Sequence, residues 1–423
     1  MEEKISFKEL PAFVILGIIV GLLIGAFKRI IGLVSGFMDG YLKSGQSLDK
    51  IIFMALIIFI GLITYFILKR DKNSKGSGIP VMTGMLEGEF EVNSEKTIVS
   101  KFIASVLTIG SGLTVGREGP SVQLGGLAGD IVGKFFPKTD RKLFIGSAAS
   151  SGFAVAFNAP VAALIFDVEE IFRTHNFNTF ITSAITIVSA EITAGLVFGD
   201  FPSLEGIPIF DNIKITSLWM IFILGIITGL SGVLFNKLVI GSKDVYKKIK
   251  VPGLVKYLAP FILTGLVLLM DPRLFASGEE LIYLPALGTN KLSSLVYMYL
   301  AKILLLSLAF GVGLSGGSLV PLLAIGAILG NIYGTILADL GLVPVSMVYA
   351  ISLIAMAGHF SAIVRTPLTA IILILEMTGG AFSNILALAV VSFVAYLIAE
   401  LFKSEPFYED LYDRLLLTEK SSK

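Results

Sequence analysis

The residues able to do chemistry fall in three short segments. Glu118 sits in Gly116-Arg117-Glu118-Gly119-Pro120, directly behind an apolar run. An ionised carboxylate at membrane depth costs about 3 kcal/mol, so a functional role is expected of it rather than a simple pairing with Arg117. Asp167, Glu169 and Glu170 close a second apolar run. Helical spacing puts Asp167 and Glu170 on one face and turns Glu169 about 100° away, which leaves open which of the three exchanges protons. Ser77 lies in Gly76-Ser77-Gly78, a hydroxyl in a turn. Cysteine is absent, and the two histidines, His175 and His359, are isolated. That leaves no thiol chemistry, no metal cluster and no nucleophile with its base, so no catalytic residue, metal or cofactor is expected. Gly311-Val312-Gly313-Leu314-Ser315-Gly316 fits a dinucleotide fingerprint. It lies inside an apolar stretch with no strand before it, so nucleotide binding is not expected.

The segments of Ser77 and Glu118, and the repeat image of the latter, are backbone breaks that open a helix. Lys75-Gly76-Ser77-Gly78-Ile79-Pro80 precedes an apolar helix over 81–86, and Gly116 to Pro120 precedes one over 121–132. Gly317-Ser318-Leu319-Val320-Pro321 precedes a third over 322–332. Proline suits a first helical turn. Helix N-termini present unpaired N–H groups and about half a positive charge, so three of them converging can hold a dehydrated small anion without a buried cation.

The elements that carry these breaks are membrane helices. Of 423 residues, 55% are hydrophobic and 15% charged, against roughly 45–50% and 25% in a soluble chain. Mean hydropathy is +0.86. The net charge of +1 gives no field to hold nucleic acid. About ten stretches approach the 20 apolar residues that cross a bilayer, among them 102–115, 144–168, 319–340 and 348–375. The first run follows Met1 to Leu10 without a small-residue cleavage site, so a retained helix is expected rather than a signal peptide. Only Lys403 to Lys423 follows the last apolar segment, and no regulatory domain is expected there.

The chain contains itself twice. Ile15 to Leu22 recurs as Ile223 to Leu230, Lys101 to Gly133 overlays Lys302 to Gly334 without a gap, and Pro160 to Glu169 overlays Pro367 to Glu376. Two homologous membrane halves are expected, 11–200 and 201–402, between a segment 1–10 and a tail 403–423. Loop charge sets their orientation, because Lys and Arg in short loops mark the cytoplasmic side. The loop from Lys69 to Lys75 is basic in the first half; in the second half it is the preceding loop, Gly241 to Lys256, that is basic. The halves are therefore expected to lie inverted, with both termini cytoplasmic. Inverted repeats with broken helices are a transporter design, with the site at the midplane.

The motifs Lys75-Gly-Ser-Gly-Ile-Pro80, Gly116-Arg-Glu-Gly-Pro120, Phe157-Asn-Ala-Pro160 and the break from Gly317 to Pro321, in this order, resemble the CLC family of chloride channels and chloride/proton antiporters. The resemblance runs from about Pro11 to Leu415. It implies an all-α membrane fold of two inverted halves with many tilted and broken helices, in a homodimer with one pore per subunit. It implies chloride and protons as substrates and a compact prokaryotic-type member in the inner membrane. By the resemblance, Ser77 looks like the inner-gate serine and Tyr408 like the phenol opposite it. Glu118 looks like the outer-gate glutamate, which occupies an anion position when ionised. Glu170, rather than Asp167 or Glu169, matches the proton-transfer glutamate that antiporters keep. The expected chloride-binding set is Ser77, Gly78, Ile79, Gly116, Arg117, Gly119, Ser318, Leu319, Val320 and Tyr408. Leu319 replaces the family's usual Phe, and Val81 and Thr83 stand where antiporters are often acidic. Ser77 and Pro120 argue for chloride over fluoride. The expected activity is proton-coupled chloride exchange, with a passive channel as the alternative. Glu191, Glu376, Arg365 and His359 are expected to serve structure.

Overall fold

The computed structural model describes residues 9–174, 176–199, 213–287, 291–379 and 382–420. His175, most of the expected N-terminal segment, the start of the second half and the last three residues lie outside them. The described residues form helices with no sheet; one antiparallel bridge, between Gly116 and Gly317, stands alone. The first half runs α1 (Leu10–Lys43), α2 (Ser47–Arg70), α3 (Ile79–Glu87), α4 (Ser94–Gly110), α5 (Glu118–Gly133), α6 (Arg141–Phe157), α7 (Pro160–Phe166) and α8 (Phe177–Phe198). The second runs α9 (Leu218–Lys248), α10 (Gly253–Met270), α11 (Glu279–Ile282), α12 (Leu292–Gly311), α13 (Leu319–Asp339), α14 (Met347–Val364), α15 (Pro367–Met377) and α16 (Ile385–Leu401). Each helix of one half has its counterpart eight places on. A last helix, α17 (Phe407–Lys420), has none.

Among the described residues nine helices are long and apolar enough to cross a membrane. The apolar stretches 144–168 and 348–375 do not cross as single helices. Each breaks where a residue adopts a left-handed conformation two places before a proline: Asn158 (φ 54°) before Pro160, and Arg365 (φ 72°) before Pro367. A left-handed residue ends a helix and proline cannot continue one, so α6 and α14 are each followed by a short helix at a new angle. The expected starts at 81, 121 and 322 also move. Ile79, Glu118 and Leu319 are already helical, so each proline falls in the first turn, as its missing N–H permits.

Inversion is visible in the contacts. Gly116 N–H donates to Gly317 O and Gly317 N–H to Gly116 O, both at 2.7 Å, so the repeat-related glycines pair antiparallel across a pseudo-two-fold axis. Lys69, Lys75, Lys243 and Lys256, from the loops read as basic in the two halves, line one cavity. Lys43 meets Glu280 at 3.7 Å, bringing the end of α1 to the start of α11.

The halves also cap one another. Glu376, at the end of α15, accepts from Val161 N–H (3.0 Å) and Ala162 N–H (2.7 Å) at the start of α7. Glu169, its image, accepts from Leu368 N–H (3.2 Å) and Thr369 N–H (2.8 Å) at the start of α15. A carboxylate there satisfies donors that a helix leaves unpaired and suits its positive end. Glu376→Ala is expected to cost about 1–2 kcal/mol. The loss would appear as a lower thermal midpoint in detergent, and a wild-type midpoint would show that the caps carry no stability.

Candidate ion-transport site

Three helices begin at one buried point. α3 starts behind Gly78 (φ 98°), α5 behind Arg117 and α13 behind Ser318. Gly116 and Gly119 are required by the closeness of these segments. A Cβ on Gly116 would meet the Glu118 carboxylate, and one on Gly119 would meet the Ser77 hydroxyl and, at 2.7 Å, Ser77 O.

Glu118 is fully buried at the first position of α5. Val320 N–H, at the start of α13, donates to its Oε2 at 3.5 Å. Ser77 Oγ and Glu118 Oε1 are buried and have no hydrogen-bond partner among the described residues. Buried polar atoms normally are bonded, and leaving one unpaired costs about 1–3 kcal/mol. Two such atoms, at converging helix starts, mark a place built to receive a polar or charged group. Tyr408, buried near the start of α17, closes it from another side: its hydroxyl is 3.5 Å from Ser318 Oγ and lies beside Ser77. Nine of the ten expected anion-site residues thus fall on the three breaks, and Tyr408 lies beside them on α17. Leu319 is buried at the first position of α13 and keeps a backbone N–H there.

The loop that carries Ser77 is held from outside the expected set. The buried Lys101 of α4 donates to Gly76 O (2.7 Å) and Ser74 O (3.3 Å), and Ser315 Oγ donates to Ser74 O (2.9 Å). Lys302, the image of Lys101 on α12, donates to Ala276 O (2.6 Å) and Leu274 O (2.9 Å) in the image loop. Both lysines begin the gapless repeat in the sequence. An identical cation at one register of two apolar helices was the available signal. Gln123 is a further unforeseen neighbour: its Nε2 donates to Asn73 O (2.8 Å), and its side chain packs where a Cβ on Gly78 would lie.

A cavity of about 1010 Å³ opens from this point to one face. Ser77 and Gly78 line it together with Lys69, Arg70, Lys72, Lys75, Lys96, Lys243, Lys247 and Lys256, against Asp71, Glu89, Glu91 and Glu419. The excess of cations concentrates anions at its mouth.

The three carboxylates left open by spacing are separated by a π-helical turn over Asp167–Ile171. Its longer repeat abolishes the shared face that 3.6-residue spacing assigned to Asp167 and Glu170. Asp167 turns to α6 and accepts from Ser150 Oγ. Glu169 caps α15. Glu170 is buried, and Arg173 Nη2 donates to its Oε1 at 3.0 Å. Two of the residues expected to serve structure have backbone partners: Arg365 donates to Tyr396 O (2.8 Å) and Ser404 O (2.6 Å), and His359 Nδ1 lies 2.8 Å from Leu322 O.

The family model for voltage gated chloride channels matches residues 60–400. An H(+)/Cl(-) exchange transporter, ClcA, of Vibrio campbellii is 32% identical over 98% of this chain and 91% of its own. ClcA of Citrobacter koseri is 30% identical over 98% of this chain and 90% of its own. The crystal structure of a slow cyanobacterial Cl-/H+ antiporter superposes with a TM-score of 0.91 at 26% identity, covering 99% of this chain and all of that one.

Proposed function

The chain belongs to the voltage gated chloride channel family, and from that premise we propose that it is a secondary active antiporter moving chloride across a membrane in exchange for protons. The observation that carries the reading is the pair of buried, unpartnered polar atoms, Ser77 Oγ and Glu118 Oε1, at converging helix starts. Anions gather in the basic cavity, pass Ser77 and Tyr408, and shed water against N–H groups of Gly78, Ile79, Gly119, Leu319 and Val320. Glu118 stands in the same path. When it is ionised, its carboxylate takes the position of an anion; when protonated, it leaves that position to chloride. Glu170 loads protons from the side of Tyr408. A buried Glu170, together with relatives that are exchangers, favours exchange over a passive channel.

In this reading no cofactor is needed, since helix ends and side chains supply every contact. The basic cavity faces the cytoplasm of a bacterial inner membrane, as positive loops prescribe, with both termini on that side. The protein works as a homodimer with a separate pore in each subunit.

The deciding experiment is external pH in proteoliposomes under a chloride gradient, with valinomycin holding the potential at zero. Uphill proton movement that reverses with the chloride gradient is expected. Chloride flux without it would replace the antiporter with a channel. The inner gate is tested by Tyr408→Ala with Ser77→Gly. Removing both the phenol and the hydroxyl opposite it should raise passive chloride leak severalfold, and an unchanged leak would take these residues out of the gate.

A further inference from the structure

The axis through Gly116 and Gly317 gives each residue near the site an image, and one image pair is left unused by the scheme above. Ser318 and Arg117 are images, each directly before its helix. On the side of the basic cavity, Ser318 reaches Tyr408. Arg117 Nη2 instead meets Glu279 Oε1 at 3.2 Å. Glu279 opens α11, the counterpart of α3, and its loop is the one that Lys302 holds. The adjacent Glu280 meets Lys43, in the pair of loops remote from the basic cavity. The counterpart loop is thus built as a closure. Phe275, image of the cavity-lining Lys75, packs its ring against Gly112, and Glu279 and Glu280 stand where α3 has Ile79 and Pro80.

We propose that the Arg117–Glu279 ion pair is the outer seal of the pathway, in series with Glu118, and must part each time an anion passes on the side away from the basic cavity. The inference rests on the anion-exchange reading. The pair is partly exposed, with side-chain exposures of 21% and 36%. Exposed pairs are weak, which suits a contact that opens in every cycle. Both residues act by closing the path, and Glu118 keeps the coupling.

The native sequence has no cysteine, so Glu279→Cys supplies the only thiol. In proteoliposomes this variant is expected to exchange severalfold faster than the wild type; an anionic methanethiosulfonate reagent, which puts a negative charge back opposite Arg117, should return turnover to the wild-type level, a cationic one should not, and dithiothreitol should reverse both. Glu279→Gln should likewise raise turnover severalfold with an unchanged ratio of chloride to protons. Wild-type turnover in Glu279→Gln, or a Glu279→Cys rate that the two reagents change alike, overturns the seal. Failure of the wild-type protein to exchange chloride for protons would overturn the function instead.

Discussion

Glu118→Gln is expected to keep chloride moving and to stop proton transport. The amide has the shape of the protonated acid, so it should leave the anion position as that form does, yet it has no proton to release. A positioned acid-base group contributes at least about a hundredfold, so chloride-driven proton flux should fall by that factor or more, into background. The measurement is paired chloride and proton flux from the same vesicles. Intact coupling in the variant would remove Glu118 from the mechanism, whatever its burial. Loss of both fluxes, with the protein still folded, would mean that the carboxylate serves the path and not its gating.

Glu170→Gln should have the complementary effect, with proton movement lost and chloride flux continuing. Its two neighbours are engaged within the fold, while Glu170 is paired with the partly exposed Arg173. Glu169 holds the start of α15, and Asp167 is bonded to Ser150. If protons still move at the wild-type rate, Asp167 is the next group to replace. Glu169→Gln tests something else: it weakens a helix cap, and its effect belongs in the thermal midpoint. A selective loss of proton flux in that variant would reverse the assignment of Glu169 and Glu170.

Much of this architecture was legible in the sequence because it is written twice. The repeats gave two halves, loop charge gave their opposed orientation, and the glycine breaks placed three helix starts together. The helix ends within apolar runs were not legible. A hydropathy window reads 144–168 as continuous, since neither the left-handed Asn158 nor the turn it forces changes apolar content. The π turn at Asp167 was hidden for a similar reason: one residue more per turn leaves composition untouched and rotates every carboxylate after it. Contacts between halves were beyond reach of local pattern. Arg117 and Glu279 lie far apart in the chain, and only the folded axis makes them neighbours. The buried Lys101 and Lys302 stood in plain sight as a repeated pair, but their bonds to loop carbonyls depend on the path of another segment.

The crossed caps impose a timetable on synthesis. When α15 emerges, Glu169 has already been made and can receive its first turn at once. The start of α7 must wait for Glu376, which is 215 residues later than Val161. At about 5–20 residues per second, that delay is roughly 10–40 s. Throughout it two N–H donors at the start of α7 lack the carboxylate that receives them in the folded chain. Symmetry in space is therefore asymmetry in time. The first-made half is the one that remains unfinished, and its last bonds close only once Glu376 has been made.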